Sequence, residues 1–222
     1  MNAYVLTGGE STRVRSLTEA HECAKHELPI NGHQFYSYMG HWLGSSTIVA
    51  DDGIRILNRP VVGTGGAIKD SNINHYPYLI VYGDCYSPID ILDVYNTMLD
   101  SNADMVIITR LTSEADYGLI TVDDDRVIKY TRKHSTTGEY MTNIGTYLID
   151  RRAHEYIVNQ PWNRVPGNYL HTMSLEYNVF DTIFDHLTIL NYDSTNLPYY
   201  DVGTPDRYEA TCRTLGTEDI VE

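Results

Sequence analysis

The sequence predicts an α/β fold on a mostly parallel mixed sheet, and three observations predict it. Tyr78 to Tyr82 is a continuous apolar run that ends in Gly83 and Asp84, the form of a buried parallel strand delivering a carboxylate at its C-terminal end. Asp104 to Arg110 is a second buried run. Tyr4, Val5 and Leu6 form a short β-prone stretch that Thr7, Gly8 and Gly9 break, so a strand there feeds a glycine loop. With 222 residues against roughly 100 to 200 per domain, one domain over 1–222 is expected, long enough to bury a sizeable core.

Composition narrows the class. A chain with 42% hydrophobic and 21% charged residues reads as soluble and globular, and no apolar run approaches the ~18 residues of a membrane span. Glu10, Arg13 and Arg15 interrupt the N-terminus before a signal-peptide core can form. The formal charge of -14 argues against a nucleic-acid backbone as partner, because phosphate contacts need a basic surface. Cys23, Cys85 and Cys212 are odd in number and lack CxxC spacing, which points to reduced thiols and a cytoplasmic home. There is no HExxH, and His21, Glu22, Cys23 and His26 lack a zinc spacing.

The elements follow in order. The loop after the first strand runs Thr7, Gly8, Gly9, Glu10, Ser11, Thr12, Arg13, offering small side chains, consecutive backbone N–H groups and one guanidinium, which suit a polyanion such as a triphosphate. GxGxxG would need glycines at Ser11 and Val14, and GxxxxGK[ST] has no match, including at Gly63, Gly65 and Gly66. From Gln34 to Leu43, the stripe Phe35, Tyr38, Met39, Trp42, Leu43 has helical spacing and a core-facing apolar side. Thr47 to Ala50 and Ile54 to Leu57 then read as two short β-prone runs of a hairpin-like piece around Asp51, Asp52 and Gly53. In Val61 to Ala67 the glycines about Thr64 let the backbone approach a flat ligand, and Ile68 begins a helical turn.

Ser87, Pro88 and Asp90 read as N-cap, first helical proline and first-turn acid of a helix through about Leu99, which leaves Asp84 free for other work. Tyr117 to Ile120 and Val127 to Tyr130 pair through Asp123, Asp124 and Asp125, a solvated turn rather than a calcium site. Met173 to Leu187 is expected as a helix. Thr204, Pro205 and Asp206 open a last helix toward Arg213, with Asp201 just upstream.

Taken in order, LTGGESTRVRSLT with AKHELPI, then VVGTGGA, YGDCYSPID, DYGLITVDDDRVIKYTRKH, TNIGTYLID, SLEYNVF and YYDVGTP resemble the motifs of the sugar-1-phosphate nucleotidylyltransferases. In that family a strand leads into LAGGxGTRLxPLT and then PKxLLPV. The pattern is most similar to heptose 1-phosphate and mannose-1-phosphate guanylyltransferases. Ser11 replaces a family glycine and Ala24 a proline, Arg59 stands where an acid would be, and Arg132 replaces a glutamate that hydrogen-bonds sugar hydroxyls. The resemblance implies a three-layer α/β/α, Rossmann-like (GT-A-like) nucleotidyltransferase fold with one β/α unit shortened near residues 44–60.

It also implies transfer of a nucleoside monophosphate from an NTP, with GTP favoured, to a sugar 1-phosphate, releasing pyrophosphate. Leu6, Thr7, Gly8, Gly9, Glu10, Ser11, Thr12, Arg13, Lys25, Gly63, Thr64, Gly65 and Gly66 would bind the nucleotide, and Gly118, Arg132, Lys133 and Asn143 the sugar phosphate. Asp84 and Asp201 would hold Mg2+, Arg13 the β and γ phosphates, Lys25 the α-phosphate, and Lys133 the acceptor phosphate. The implied partners are these small molecules, with neither nucleic acid nor membrane; relatives are commonly homodimers. Two rival expectations are a cytidylyl-, uridylyl- or thymidylyltransferase on another phosphorylated acceptor, and a catalytically silent nucleotide-sugar-binding protein, which Ser11, Arg132 and the lost unit favour.

Overall fold

A computed structural model of the chain describes residues 1–8, 11–50, 52–59, 62–114, 118–131, 138–164 and 171–215. In chain order the elements are β1 (Asn2–Leu6), α1 (Arg15–Ala20), β2 (Pro29–Ile30), β3 (His33–Gln34), α2 (Phe35–Gly44), β4 (Ile54–Leu57) and α3 (Thr64–Lys69). Then come β5 (Tyr78–Tyr82), β6 (Cys85–Tyr86), α4 (Ile91–Asp100), β7 (Met105–Thr112), β8 (Leu119–Asp123), β9 (Arg126–Thr131), β10 (Tyr140–Ile149) and α5 (Arg151–Asn159). The last are β11 (Asn163–Arg164), β12 (His171–Thr172), β13 (Ile189–Asp193), β14 (Tyr200–Asp201) and α6 (Pro205–Leu215).

The main sheet has eight strands in the order β4-β1-β5-β10-β7-β13-β9-β8. β1 is parallel to β4 and β5, and β7 to β13, while β10 and β9 pair antiparallel with their neighbours. Those two strands therefore run against the rest, and the sheet is mixed with most strands pointing one way. A further pairing of Thr142 with Leu119 folds the β8 edge back onto β10.

Strict alternation along the strands makes two cores. Ala3, Val5, Leu79, Val81, Val106, Ile108 and Leu148 face one side and pack with α2, α4 and the end of α6. Tyr4, Leu6, Tyr78, Ile80, Met105, Ile107, Tyr147 and Ile149 face the other, with α3, α5 and residues 173–187. The result is the expected three-layer α/β/α arrangement. Each fully buried aliphatic side chain here contributes about 1.5 to 3 kcal/mol, so both layers are held by burial. No helix among the described residues is long and apolar enough to cross a membrane.

Several local expectations are corrected. Thr47 to Ala50 forms turns rather than a strand, and Ile54–Leu57 pairs in parallel with β1 instead of closing a hairpin. The open edge of β1 supplies the hydrogen bonds that a hairpin partner would have given. The cap of α4 is Asp90, whose carboxylate accepts from Leu92 N and Asp93 N at 2.9 and 3.3 Å. Ser87 instead donates to Pro198 O at 2.7 Å. Helix α3 starts at Thr64, so the glycine pair lies inside its first turn.

Residues 173–187 make no continuous helix: Leu175–Val179 is a π turn and Ile183–Asp185 a 3-10 turn. Widening one turn and tightening the next lets Leu175, Val179, Phe180 and Ile183 all reach the second core. Thr204 does cap α6, accepting from Arg207 N at 3.3 Å through its hydroxyl. The aspartate turn is as expected, with Asp124 and Asp125 at φ 42° and 64° between β8 and β9.

Candidate functional site

Parallel strands β4, β1 and β5 end side by side, and beyond their C-terminal ends lies a cavity of about 330 Å³. Leu6, Thr7, Gly8, Ser11 and Arg13 form one wall, with Lys25 and His26 beside them. Leu57 and Arg59 follow from β4, Gly63, Thr64 and Ala67 from α3, and Tyr82, Gly83 and Asp84 from β5. A cavity in this place follows from the topology, because parallel strands leave their loops free at one edge.

Two glycines make the walls fit together. A Cβ on Gly8 would lie 2.4 Å from Arg59 O, and one on Gly63, whose φ is +77°, would lie 2.6 Å from Met173 O. Ser11 occupies the left-handed region at φ 54°, a conformation that glycine adopts without cost. The hydroxyl of Thr7 is buried, with no hydrogen-bond partner among the described residues.

The charged groups converge at the Asp84 end. Lys25 Nζ donates to Asp84 Oδ2 at 2.5 Å. Burial pushes the Asp84 carboxyl up, but the neighbouring Lys25 ammonium and Arg13 guanidinium outweigh it and hold the group below the usual carboxylate range. The residue after Asp84, Cys85, pairs with Asp201 in the β6/β14 ladder, and Val202 N donates to Asp84 O at 2.8 Å. The fold thus sets two acids more than a hundred positions apart on facing backbones. Cys85 responds to both: burial, then the charges of Asp84 and Asp201, raise its thiol well above the ordinary value.

Asp201 is buried and anchored. Its Oδ1 accepts from Gly203 N at 2.5 Å, and its Oδ2 meets Tyr199 Oη at 3.4 Å and an Arg207 Nη1 at 3.5 Å. A Cβ on Gly203 would sit 2.7 Å from Asp201 Oδ1 and 3.6 Å from an Arg13 Nη2, so Arg13 approaches this turn as well.

Behind the cavity is a hydroxyl-rich network centred on Glu176. Its Oε1 accepts from Tyr82 Oη and, at 3.3 Å, Tyr147 Oη; its Oε2 accepts from Ser174 Oγ at 2.7 Å and Thr64 Oγ1 at 3.2 Å. Tyr147 also donates to Asn143 Oδ1 at 2.8 Å. Burial, reinforced by the Glu176 charge, lifts the Tyr82 hydroxyl well above its usual pKa, so it stays a donor.

Of the residues singled out from the sequence, Leu6, Thr7, Gly8, Ser11, Arg13, Lys25, Gly63, Thr64 and Asp84 line the cavity, and Asp201 adjoins it through Asp84. Thr12 is exposed. Gly65 and Gly66 are buried and pack against Met173 and Trp162. Gly118 sits beneath the Tyr130 ring, and Asn143 belongs to the Glu176 network. Gly9, Glu10, Arg132 and Lys133 lie outside the described residues. His26, Arg59, Tyr82, Glu176 and Arg207 were not picked out; SLEYNVF contained Glu176, but nothing in its spacing showed where it would point.

No family model and no curated protein sequence matches the chain. Among solved structures, it is similar to HddC from Yersinia pseudotuberculosis at 21% identity and TM-score 0.72, covering 97% of this chain and 100% of that one. The same protein complexed with GMP-PN matches at 20% identity and TM-score 0.72, over 96% and 99% of the two chains. The inositol-1-phosphate CTP transferase from T. maritima matches at 13% identity and TM-score 0.70, over 100% and 98%. At these identities the likeness is one of fold, extending over the whole chain.

Proposed function

We propose that this protein transfers a nucleoside monophosphate from an NTP to a sugar 1-phosphate, forming an NDP-sugar and pyrophosphate. The observation that supports the reading is that Arg13, Lys25 and Asp84, from three separate stretches of chain, line one cavity, with Asp201 on the strand that pairs with the residue after Asp84. Joining two phosphates demands charge neutralisation and alignment for in-line displacement, and these residues supply both. Fold neighbours of this chain are sugar-phosphate nucleotidyltransferases, which supports the same reading.

Arg13 would grip the β and γ phosphates, its fork matching paired oxygens and following the charge as pyrophosphate leaves. Lys25 would turn from Asp84 to the α-phosphate and stabilise the charge that builds there. The Thr7 hydroxyl, which has no partner among the described residues, and the backbone N–H groups of the loop would add neutral donors. Asp84 and Asp201 would hold magnesium. Two carboxylates on facing backbones, with no group of three acidic, histidine or cysteine side chains among the described residues, fit an ion that takes few protein ligands and completes its shell from phosphate oxygens. Magnesium, when bound, supplies Lewis-acid neutralisation of the phosphate oxygens.

GTP is the first candidate donor and a heptose or mannose 1-phosphate the first candidate acceptor. HddC, a heptose-1-phosphate guanylyltransferase, is among the fold neighbours, and Arg59 on the cavity wall carries donors only, which suit O6 and N7 of guanine. The test is pyrophosphate release from a panel of NTPs against sugar 1-phosphates. Asp84→Asn and Asp201→Asn are each expected to abolish release while cooperative unfolding persists. Full turnover in either would remove the metal site from the reading.

A further inference from the structure

Arg207 is a cation in the first turn of α6, where the helix dipole favours acids, so its presence there calls for a compensating anion. Two carboxylates supply it. Its Nε and Nη2 both donate to Glu114 Oε2, at 3.0 and 2.7 Å, while Nη1 faces Asp201 Oδ2 at 3.5 Å. The two partners differ: Asp201 is buried in a strand turn, whereas the Glu114 side chain is 57% exposed and that of Arg207 only 15%. A second guanidinium is linked to the same carboxylate through Tyr199. Arg110 stacks 4.6 Å over the Tyr199 ring, whose hydroxyl shares Asp201 Oδ2, and Arg110 Nε is buried with no partner among the described residues.

Neither arginine lines the nucleotide cavity. Arg13 and Lys25 line the cavity, whereas Arg207 contacts Asp201 and Arg110 contacts Tyr199, none of which is in its lining. An enzyme that brings two phosphates to one place needs two separate sets of cations, so that each anion keeps its own partner as they meet. The guanidinium fork fits carboxylate and phosphate oxygens alike, and a carboxylate already sits in it.

We infer that Arg207, with Arg110 linked to it through Tyr199 and Asp201, binds the phosphate of the acceptor substrate, and that the Glu114 carboxylate fills that fork until the acceptor displaces it. This rests on the transferase reading and adds a binding residue to it. Glu114 is able to leave because its side chain is exposed, while Tyr140 Oη holds only its main-chain carbonyl.

The experiment separates acceptor from donor. Arg207→Gln should raise the KM for the sugar 1-phosphate about tenfold or more, the size of one lost charge-assisted contact, and leave the KM for the NTP unchanged. Glu114→Gln, on an exposed side chain, should lower the acceptor KM several-fold. Calorimetric titration with inorganic phosphate gives a readout independent of turnover: binding should tighten in Glu114→Gln and weaken in the Glu114→Gln/Arg207→Gln double variant. Equal phosphate affinity in the single and double variants would overturn the inference, as would an Arg207→Gln effect shared equally by both KM values. If no substrate pair releases pyrophosphate, the transferase reading fails on that ground alone, and the phosphate titration still decides whether Arg207 is an anion site gated by Glu114.

Discussion

At the scale of single residues, Lys25 carries the sharpest expectation. Its ammonium touches Asp84 at rest and would face developing charge during transfer, so Lys25→Ala should lower turnover by roughly a hundredfold, measured as kcat for pyrophosphate release. Glu176 is the structural counterpart. It accepts from the hydroxyls of Tyr82, Ser174 and Thr64, with the Tyr147 proton shared with the nearer Asn143, so Glu176→Gln turns one acceptor into a donor that faces donors, and should cost about 1 to 3 kcal/mol in urea unfolding. Arg13, Lys25 and Asp84, which line the cavity, were named from the sequence because each lies in a stretch that the motif resemblance marked, and Asp201 was named in the same way. Arg207 and Glu176 were not, because their partners, Glu114 and Tyr82, lie 93 and 94 positions away and only the fold chooses them.

At the scale of elements, α3 shows how a glycine stretch can serve two ends. Gly63 bends the backbone into the cavity wall, while Gly65 and Gly66 let Met173 and Trp162 close behind it. Gly63→Ala places a Cβ against Met173 O at positive φ, so it should cost at least about 1 to 2 kcal/mol and weaken NTP binding. Gly40→Ala, in α2 with nothing within 4 Å of the new atom, should be neutral or stabilising by up to about 1 kcal/mol. Parallel thermal melts of the two variants test the contrast. The strand at Ile54–Leu57 was visible in its apolar run, but its partner was not: four residues bond equally well to a hairpin mate or to a bare edge. Helix α4 starts later than the expected Ser87 cap and Pro88 first position, at Ile91 with Asp90 as its cap, while Ser87 bonds Pro198 O.

At the scale of the whole molecule, the α/β class was readable because continuous buried runs such as Tyr78 to Tyr82 show without knowledge of contacts, while the three layers came from the motif resemblance. What holds it together should depend on pH. Burial lowers the pKa of His26 and of His154, whose ring bonds Tyr78 Oη at 3.0 Å. Below about pH 6.5 the unfolded chain takes up protons that these rings resist in the fold, so stability should fall as pH drops from there through their folded values. Asp84, also held low, adds stability above its unfolded pKa that is lost only at more acid pH, as its folded value is passed. Urea midpoints should therefore be lower at pH 5.5 than at pH 7.5, and His154→Gln should flatten that slope; an unchanged slope would assign the loss elsewhere.

On the transferase reading proposed above, the lysine resting on Asp84 would tie donor and cation together. While the ammonium stays there, a divalent ion must compete with a charge already in place; a triphosphate that draws the ammonium away leaves the carboxylate bare. Thermodynamic reciprocity then requires each guest to strengthen the other by one and the same factor. Removing the arbiter, as in Lys25→Met, should make the two affinities independent, a result that paired titrations with and without the other guest would read directly.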